Sequence, residues 1–410
     1  MTHSVAVVNV GIDARWSVGK SAIALHRVLL ARGYDSVFCA VTMADAGQFP
    51  GTTYRICSGF TRFVHKTLTR ITGCDGGYSA GTTRRLVRFL RARKTEAVFL
   101  MLSHGFYLNE TIFFDYLKRD GVRLVYPMMD EFPFLGKCHF SRGCTGYLDG
   151  CRDCRHASDH PKCVFASGAR KSYARKEACY RGLERAAFVG PRITIENAAK
   201  SPLMKGKRLE IVNEAIDVSV YRPRDASRLR RELGIRDDQV VCVCTAIYDG
   251  FWHARKGVPF FLEAARRFEG DDRFVFVQVA YAADYPPGLP SNVRTKGYVW
   301  DRDEMAEYLS LADVAVFPTM ADTMPHACLE AMACGTPILC FDIYGNSYMA
   351  PPGIGTFVEP GSVEALAEAI GRTEKKTDEA VARCRRHAEE NYDVNVFCRK
   401  LISIAESLEG

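Results

Sequence analysis

The stretch 317–341, FPTMADTMPHACLEAMACGTPILCF, decides the fold. It predicts a strand that ends at Phe317, a short loop, a helix over about 327–333, a stop at Gly335 and a second strand. Asp322 lies in the predicted loop, and Glu330 follows eight residues later inside the predicted helix. Strand, loop and helix in this order are typical of a parallel α/β sheet, in which ligands bind at the carboxyl ends of the strands.

The loop and helix start of this stretch suit an anionic ligand. Backbone N–H groups and the positive end of a helix dipole meet there, which favours a diphosphate. A carboxylate in the same place can accept paired hydrogen bonds from the vicinal hydroxyls of a ribose or a hexose. Asp322 or Glu330 alone would be an ordinary solvated charge. Together, in this setting, they favour a sugar-nucleotide site.

The strand and helix pattern extends through both halves of the chain. Apolar runs typical of buried parallel strands occur in the first half as VAVVNV, AVFLML and VRLVYP, and in the second as VVCVCT, RFVFVQV, DVAVFP and PILCF. The two sets predict two parallel α/β sheets, with the chain crossing between them near 217–223. A length of 410 residues also favours two domains of similar size.

Composition predicts a folded chain outside the membrane. The hydrophobic fraction is 47% and the charged fraction 25%, close to the average for globular proteins. No apolar run approaches the roughly 18 residues that span a bilayer, and the first residues lack the features of a signal peptide. We therefore expect a cytoplasmic location.

The net charge is +7, and one segment concentrates basic residues. The segment 83–94, TRRLVRFLRARK, predicts a basic amphipathic helix. We interpret it as a solvated face over a core stripe, and docking on an anionic membrane surface is the alternative. No nucleic-acid-binding module accompanies the charge, so nucleic acid is not an expected partner.

Four of the sixteen cysteines lie close together in the sequence: Cys138, Cys144, Cys151 and Cys154. His160 and Cys163 follow. Four thiolates at short spacing in a reducing compartment predict a closed structural zinc site. An iron–sulfur cluster and a set of unligated thiols are the alternatives.

Two other strings carry less weight. The string 19–21, GKS, lacks the glycine that a phosphate-binding loop needs five residues earlier, where Ala14 stands. The string 301–303, DRD, precedes a predicted helix. Helix capping explains this acidic pair better than metal binding does.

The quoted residues resemble the donor-site signature of family-4 retaining glycosyltransferases. That signature is an acid, seven residues, a glutamate and AMACGTP. Here Asp322 stands where the family usually has glutamate, as in the colanic-acid and exopolysaccharide branch. The string 254–265, ARKGVPFFLEAA, resembles the basic loop of the same family, in which Arg255 or Lys256 would meet the donor phosphates.

The first half resembles the same branch. The segment 17–33, SVGKSAIALHRVLLARG, resembles its first loop and helix, and 104–109, HGFYLN, resembles its HGYYLN string. The stretch 129–154 resembles its histidine, aspartate, tryptophan and cysteine region. Met129 stands where the branch has histidine, so that histidine's role does not transfer. His104 and Asp130 remain candidates.

The resemblance implies a GT-B fold, with two Rossmann-like parallel-sheet domains facing across a cleft. We expect an acceptor-side domain over 1–216, with a cysteine-rich insertion at 138–163, and a nucleotide-sugar domain over 217–388. A C-terminal helix over 389–410 would pack back on the first domain.

The resemblance also implies a set of site residues. The catalytic candidates are Lys256, Asp322, Asp130 and His104. Glu330 would hold the ribose and Asp322 the transferred sugar, without a metal requirement for transfer. The remaining donor-binding candidates are Arg255, Thr323, Met324, Pro325, His326 and Gly19.

The implied activity is retaining transfer of a hexosyl group from a nucleotide-diphosphate sugar to a glycan or lipid-linked acceptor. The setting would be polysaccharide or glycoconjugate biosynthesis, in the cytoplasm and in peripheral contact with the inner face of the membrane. A GT-B-type sugar-nucleotide epimerase and a non-catalytic binding or assembly protein of a polysaccharide pathway are the alternatives.

Overall fold

The structure, a computed structural model, describes residues 3–156, 161–165, 167–246, 255–279, 288–322, 324–343 and 346–409. The chain divides into two compact units. Unit 1 comprises Met1–Asn213 and Phe397–Gly410, and unit 2 comprises Glu214–Val396. The described helices include none that is long and apolar enough to cross a membrane.

Unit 1 is built on a seven-stranded parallel sheet in the order β3-β2-β1-β4-β5-β6-β7. Its strands are β1 Ser4–Val8, β2 Asp35–Ala40, β3 Thr53–Arg55, β4 Ala97–Leu100, β5 Arg123–Pro127, β6 Ala186–Gly190 and β7 Arg208–Ile211. Its helices are α1 Ser17–Ala31, α2 Gly59–Thr72, α3 Ala80–Ala92, α4 Glu110–Arg119, α5 Gly168–Tyr180 and α6 Arg192–Lys200. The central strands are buried along their whole length, because helices cover both faces of the sheet.

Unit 2 is built on a six-stranded parallel sheet in the order β10-β9-β8-β11-β12-β13. Its strands are β8 Val240–Cys244, β9 Phe274–Val279, β10 Val293–Lys296, β11 Val314–Phe317, β12 Ile338–Phe341 and β13 Gly355–Val358. Its helices are α7 Ser227–Glu232, α8 Val258–Arg266, α9 Arg302–Leu311, α10 His326–Ala333, α11 Val363–Gly371 and α12 Asp378–Tyr392. The last helix, α13 Val394–Glu406, begins in unit 2 and continues into unit 1.

Two sequence predictions for helices hold in the structure. The predicted basic amphipathic helix is α3, which buries Leu86, Val87 and Leu90 and exposes its arginines. Asp301 caps α9, since its Oδ1 accepts a hydrogen bond of 2.9 Å from the N–H of Glu304. The acidic string 301–303 therefore begins a helix, as expected.

The C-terminal region differs from the predicted single helix over 389–410. Helix α12 ends at Tyr392 and α13 begins at Val394, because Asp393 has an extended backbone. Ile216 pairs with this break: its N–H donates to the carbonyl of Tyr392, and its carbonyl accepts from the N–H of Val394, both at 2.9 Å.

Candidate functional site

The loop that follows β11 brings the two parts of the donor motif together within unit 2. Nζ of Lys256 lies 2.6 Å from Oδ2 of Asp322, and Nη1 of Arg255 lies 3.3 Å from the same oxygen. Arg255 also donates to the carbonyl of Ala321 at 2.6 Å. The basic loop and the acidic loop, which the sequence separates by more than sixty residues, therefore form one charged cluster at the carboxyl end of a buried strand.

Close backbone packing fixes the position of this cluster. The carbonyl of Arg255 accepts hydrogen bonds from the N–H of Met320 at 2.8 Å and from Oγ1 of Thr319 at 3.1 Å. Gly257 has φ of +73°, and a Cβ at this position would lie 1.7 Å from the carbonyl oxygen of Pro318. Only glycine fits, so Gly257 allows the basic loop to lie directly against the end of β11.

The cluster holds Asp322 as a carboxylate. Burial alone would raise the pKa of Asp322, and the cationic groups of Lys256 and Arg255 more than offset it, so the pKa is lowered. The carboxylate is largely shielded from solvent. Asp322 is therefore the counter-ion of two cations, Lys256 and Arg255.

The start of α10 contains a second side-chain contact, one that the sequence did not predict. Nε2 of His326 lies 2.8 Å from Oε2 of Glu214, and both side chains are nearly buried. His326 was a donor-site candidate, whereas Glu214 follows β7 in the chain and belongs to no recognised motif. Met324 and Pro325, which come directly before His326, are buried, and Thr323 lies outside the described residues.

Glu330 lies inside α10 and is only 8% exposed. It forms a hydrogen bond with the hydroxyl of Tyr221, and burial together with Glu330 raises the pKa of that hydroxyl. Tyr221 is a second residue that sequence reasoning missed, since a lone tyrosine before Pro223 gives no signal. The Glu330 carboxylate is therefore held by a hydrogen bond from Tyr221.

Unit 1 carries a separate polar cluster. His104 follows β4 and Asp130 follows β5, so both lie at the carboxyl ends of adjacent parallel strands. Nε2 of His104 lies 2.7 Å from Oδ2 of Asp130, and the His139 ring stacks on His104 with centroids 4.1 Å apart. In the part of the chain that the structure describes, these three residues have ligand atoms within 4.8 Å of one another. His139 was not predicted as a site residue.

The charges of this cluster are coupled. Burial would lower the pKa of His104, but the Asp130 carboxylate more than offsets it and the pKa is raised. Burial would likewise raise the pKa of Asp130, but His104, and to a lesser extent His139, lower it. The pair therefore favours an imidazolium bound to a carboxylate.

A second buried histidine and aspartate support the loop that holds His104. Oδ1 of Asp75 lies 3.2 Å from Nε2 of His65, and Oδ2 accepts a hydrogen bond of 3.1 Å from the N–H of Gly105. Although burial opposes it, the bond to His65 and the nearby charges lower the pKa of Asp75 to about 2. This pair anchors the backbone next to His104.

The four clustered cysteines lie in one segment of unit 1. Cys138 and Cys151 contact the hydrophobic core, and Cys144 accepts a hydrogen bond from the N–H of Gly146 at 3.4 Å. Burial, with a smaller contribution from Cys154, Cys151 and Cys144, raises the pKa of Cys138 to about 12, although Lys137 opposes the shift. The Cys138 thiol is therefore in electrostatic contact with the other three. Their sulfur atoms do not all lie within 4.8 Å of one another in the described part of the chain.

Two buried lysines hold the backbone around this segment. Nζ of Lys176 donates to the carbonyls of Leu135 at 2.9 Å and Gly136 at 3.1 Å, and Nζ of Lys137 donates to the carbonyl of Pro161 at 2.8 Å. The predicted neighbour His160 lies outside the described residues. The two lysines therefore hold the backbone just before the cysteine segment and just after it.

Gly19 has a steric role in unit 1. It lies in the first turn of α1, where a Cβ would come within 2.0 Å of the carbonyl oxygen of Asp13. The Asp13 carboxylate in turn binds Arg15, with Nη2 and Oδ2 2.6 Å apart. Gly19 therefore allows the loop after β1 to fold closely onto α1.

Part of the chain is similar to a known protein family. Residues 240–375 match the sequence profile of the family described as "Glycosyl transferases group 1". The relatives include TuaC of Bacillus subtilis (strain 168), named for teichuronic acid biosynthesis, which is 31% identical over 36% of this chain and 36% of its own length. The colanic acid biosynthesis glycosyl transferase WcaC of Escherichia coli (strain K12) is 24% identical over 54% of this chain and 52% of its own length. The chain thus spans about a third to a half of these relatives.

Solved structures match the chain over nearly its whole length. A glycosyltransferase from Rickettsia africae ESF-5 has a TM-score of 0.69 at 12% identity, covering 99% of this chain and 98% of that chain. HepE of Anabaena, solved in complex with UDP-glucose, has a TM-score of 0.65 at 12% identity, covering 98% and 99%. The two parallel-sheet units therefore form a GT-B fold.

Proposed function

We propose that this chain, with a Glycosyl transferases group 1 domain on a GT-B fold, is a retaining glycosyltransferase of the hexosyltransferase type. It moves a sugar from a nucleotide-diphosphate donor to a glycan or lipid-linked acceptor. The observation that carries the proposal is the contact of Lys256 and Arg255 with Asp322 at the carboxyl end of β11. The relatives named for teichuronic acid and colanic acid biosynthesis support a role in polysaccharide or glycoconjugate synthesis.

Donor binding replaces the contacts of Asp322 with Lys256 and Arg255 by contacts of these three side chains with the donor. Its diphosphate offers Lys256 and Arg255 a new anion, and its sugar hydroxyls offer Asp322 new hydrogen-bond donors. The N–H groups at the start of α10 contribute to the same anion site. Glu330 accepts hydrogen bonds from the ribose, while Tyr221 holds its carboxylate in place. Gly19 is a further proposed donor contact.

The chemical step forms one bond and breaks another on the same face of the sugar. The acceptor oxygen attacks the anomeric carbon as the bond from that carbon to the donor phosphate breaks, and the acceptor proton passes to the departing phosphate. Negative charge grows on the leaving nucleoside diphosphate. Lys256, Arg255 and the loop N–H groups stabilise this charge electrostatically, so the step uses neither a protein nucleophile nor a divalent metal.

His104 and Asp130 form the proposed acceptor-side site. As an imidazolium, His104 donates one N–H to Asp130 and keeps the other for a substrate oxygen. Asp130 orients the ring, in the way that a carboxylate commonly orients a functional histidine. His139, stacked on His104, restricts the ring further.

The proposed structural metal is zinc, held by Cys138, Cys144, Cys151 and Cys154. The four thiols share one segment, and Cys154, Cys151 and Cys144 contribute to the raised pKa of Cys138; a bound cation would instead favour the thiolate. Zinc binding would bring the four sulfurs to a zinc–sulfur distance of about 2.3 Å. The ion would order the segment that follows Asp130 and take no part in the chemical step.

The proposed location is the cytoplasm, with peripheral contact at the inner face of the membrane, where lipid-linked acceptors are presented. No nucleic-acid partner is proposed. The nucleotide-sugar donor is water-soluble and enters its site from solvent. The proposed membrane contact is therefore made by a different surface of the protein.

A thermal-shift screen against UDP-glucose, GDP-mannose and ADP-glucose tests the donor site. At about 100 times Kd, a ligand that binds only the folded state adds roughly 2.7 kcal/mol of stability, which is a shift of several degrees. We expect one nucleotide class to give this shift in the wild type and not in a Lys256→Ala, Arg255→Ala variant. Lys296→Ala, at an exposed ion pair of the same unit, is the control. Equal shifts in all three proteins would contradict the site.

Product analysis tests the reaction. With the donor identified, we expect glycosyl transfer to persist after brief chelation of divalent metals, and the product to keep the anomeric configuration of the donor by NMR. An altered nucleotide sugar without transfer would indicate an epimerase. Donor binding with neither transfer nor hydrolysis would indicate a binding protein, and inversion or strict dependence on Mg²⁺ or Mn²⁺ would contradict the mechanism.

A further inference from the structure

Helix α2 exposes its apolar side chains to solvent. Phe60 is 76% exposed and Phe63 is 64% exposed, and three further apolar residues on the same side of the helix are at least one-third exposed: Val64, Leu68 and Ile71. Their spacing of three to four residues places all five on one face. We call these five residues the α2 apolar face.

Polar contacts fix the orientation of α2. The buried residues of this helix are His65 and Thr69, which are polar. Nδ1 of His65 lies 2.8 Å from Oγ of Ser79, and Nε2 lies 3.2 Å from Oδ1 of Asp75. The usual pattern of an amphipathic helix is therefore reversed, since the polar residues anchor the helix and the apolar face points outward.

A neighbouring turn extends this surface. The N–H of Val164 donates to the carbonyl of Arg70 at 3.0 Å, and the N–H of Phe165 donates to the carbonyl of Ile71 at 3.2 Å. Val164 is 71% exposed and Phe165 is exposed as well. The turn is thus bound to the end of α2, and its two apolar side chains lie next to the apolar face.

The charges around this surface have one sign. The sequence of α2, GFTRFVHKTLTRIT, contains arginine and lysine but no acidic residue, and the same is true of 161–171, PKCVFASGARK. Arg70 is exposed at the end of α2, and Lys162, Arg170 and Lys171 are exposed near the turn. An apolar face with a cationic border matches the interface of an anionic membrane, with its acyl chains and phosphate headgroups.

Helix α3 provides an internal contrast. It carries more arginines than α2 does, but its apolar residues Leu86, Val87 and Leu90 are buried in the core of unit 1. The arginines of α3 are accessible to anionic headgroups, but its three buried apolar residues are not available to insert into a membrane. Of the two basic helices, α2 has both features.

We propose that the α2 apolar face, together with Val164 and Phe165, docks unit 1 onto an anionic lipid surface. This inference rests on the proposed function, in that it supplies the contact through which a lipid-linked acceptor is reached. The helix would lie in the plane of the interface, with Phe60 and Phe63 in the acyl region and Arg70 at the headgroups. A second copy of the chain is a poorer partner, because it would bring like charges together around the same face.

Vesicle sedimentation tests this surface. We expect the wild type to bind vesicles of phosphatidylcholine and phosphatidylglycerol at a ratio of 3:1, to bind pure phosphatidylcholine more weakly, and to lose affinity as salt is raised. Phe60→Ser with Phe63→Ser should weaken binding by about tenfold or more, since two exposed aromatic side chains no longer insert. Arg84→Gln with Arg88→Gln on α3 is the matched control and should bind like the wild type.

Different outcomes separate this proposal from its alternatives. Equal binding by the wild type and the Phe60, Phe63 variant would overturn it, as would weaker binding of the α3 variant alone. If light scattering shows a wild-type dimer that the serine variant disrupts, and no vesicle binding, the face is a self-association surface and the proposal fails. The donor-induced thermal shift is independent of this face and should be unchanged in the serine variant, so the two proposals can fail separately.

Discussion

Lys256 donates a hydrogen bond of 2.6 Å to Asp322, from a position 66 residues earlier in the chain. The cation proposed to bind phosphate is therefore paired with an internal carboxylate. This pairing avoids an unpaired charge in a site that is partly shielded from water.

Lys256→Ala should lower kcat more than it raises KM. The ammonium acts on charge that grows as the donor phosphate departs, so a loss on the order of a hundredfold in kcat is expected. Steady-state kinetics measure this, with Lys296→Ala as the control at an exposed ion pair. Wild-type kcat in the Lys256 variant would remove this residue from the mechanism.

Glu330→Ala should act mainly on nucleotide affinity. The ribose contact is present in both the ground state and the transition state, so we expect binding of the nucleoside diphosphate to weaken by roughly tenfold with little change in kcat. Tyr221→Phe should give a smaller loss of the same kind, because it removes the partner of Glu330. Isothermal titration calorimetry is the measurement, and Glu304→Ala on α9 is the control. Unchanged affinity in both variants would contradict the ribose assignment.

Gly257→Ala should disrupt the donor site and unit 2 together. Its Cβ would lie 1.7 Å from the carbonyl oxygen of Pro318 at a positive φ, so the basic loop must move away from β11. A cost of roughly 3 kcal/mol in unfolding free energy is expected. Gly270→Ala separates the two causes, because Gly270 has φ of +87° and no atom within 4 Å of its Cβ position. That control should lose only about 1 kcal/mol and retain donor binding. Similar losses in both variants would mean that the Pro318 contact is unimportant.

The His104–Asp130 pair should make stability depend on pH. The pKa of His104 is raised above 6.5, so its contribution is complete below pH 6.5 and disappears as pH rises through the folded-state value. The pKa of Asp130 is lowered below 3.8, so its contribution is present above pH 3.8 and disappears as pH falls through the folded-state value. Asp130→Asn should therefore cost more at pH 6 than at pH 9, by roughly 1–2 kcal/mol in urea unfolding.

The control for that experiment is Asp120→Asn, which breaks an exposed ion pair with Arg91. Its small cost should be the same at pH 6 and pH 9, because neither member of the pair titrates in that range. If the two variants show the same pH dependence, His104 is not stabilised by Asp130.

The cysteine segment should carry about one zinc ion per chain, measured by elemental analysis, with no brown absorption from an iron–sulfur cluster. Replacing Cys151 and Cys154 by serine should release the metal and reduce acceptor use more than nucleotide binding, because the donor motifs lie in unit 2. Cys384→Ala, in the core of unit 2, should keep the metal. A metal-free protein whose Cys151, Cys154 variant folds and transfers sugar normally would show that these are only thiols.

The sequence could predict the parts of this molecule that depend on local patterns. Buried parallel strands read as apolar runs, so β1, β4, β5, β8, β9, β11 and β12 were all anticipated, together with the loop that holds Asp322. Edge strands such as β10 carry exposed residues and gave no such signal. Glu214 and Tyr221 could not be found either, because their importance arises from contacts with His326 and Glu330 more than 100 residues away. The outward orientation of the α2 apolar face depends on the contact of His65 with Asp75, a residue that lies beyond the end of α2 and so outside the helical periodicity.

Unit 1 includes residues from both ends of the described chain, and this has a consequence for synthesis on the ribosome. The hydroxyl of Tyr34 donates a hydrogen bond to Glu406, and Arg185 donates to the carbonyl of Leu408, so the C-terminal residues of unit 1 pack against its N-terminal part. Every residue of unit 2 is translated before those contacts can form. The nascent unit 1 must therefore wait, with part of its surface uncovered, while unit 2 emerges and folds. Within this sequence, the unit whose translation begins first is the unit whose contacts are completed last.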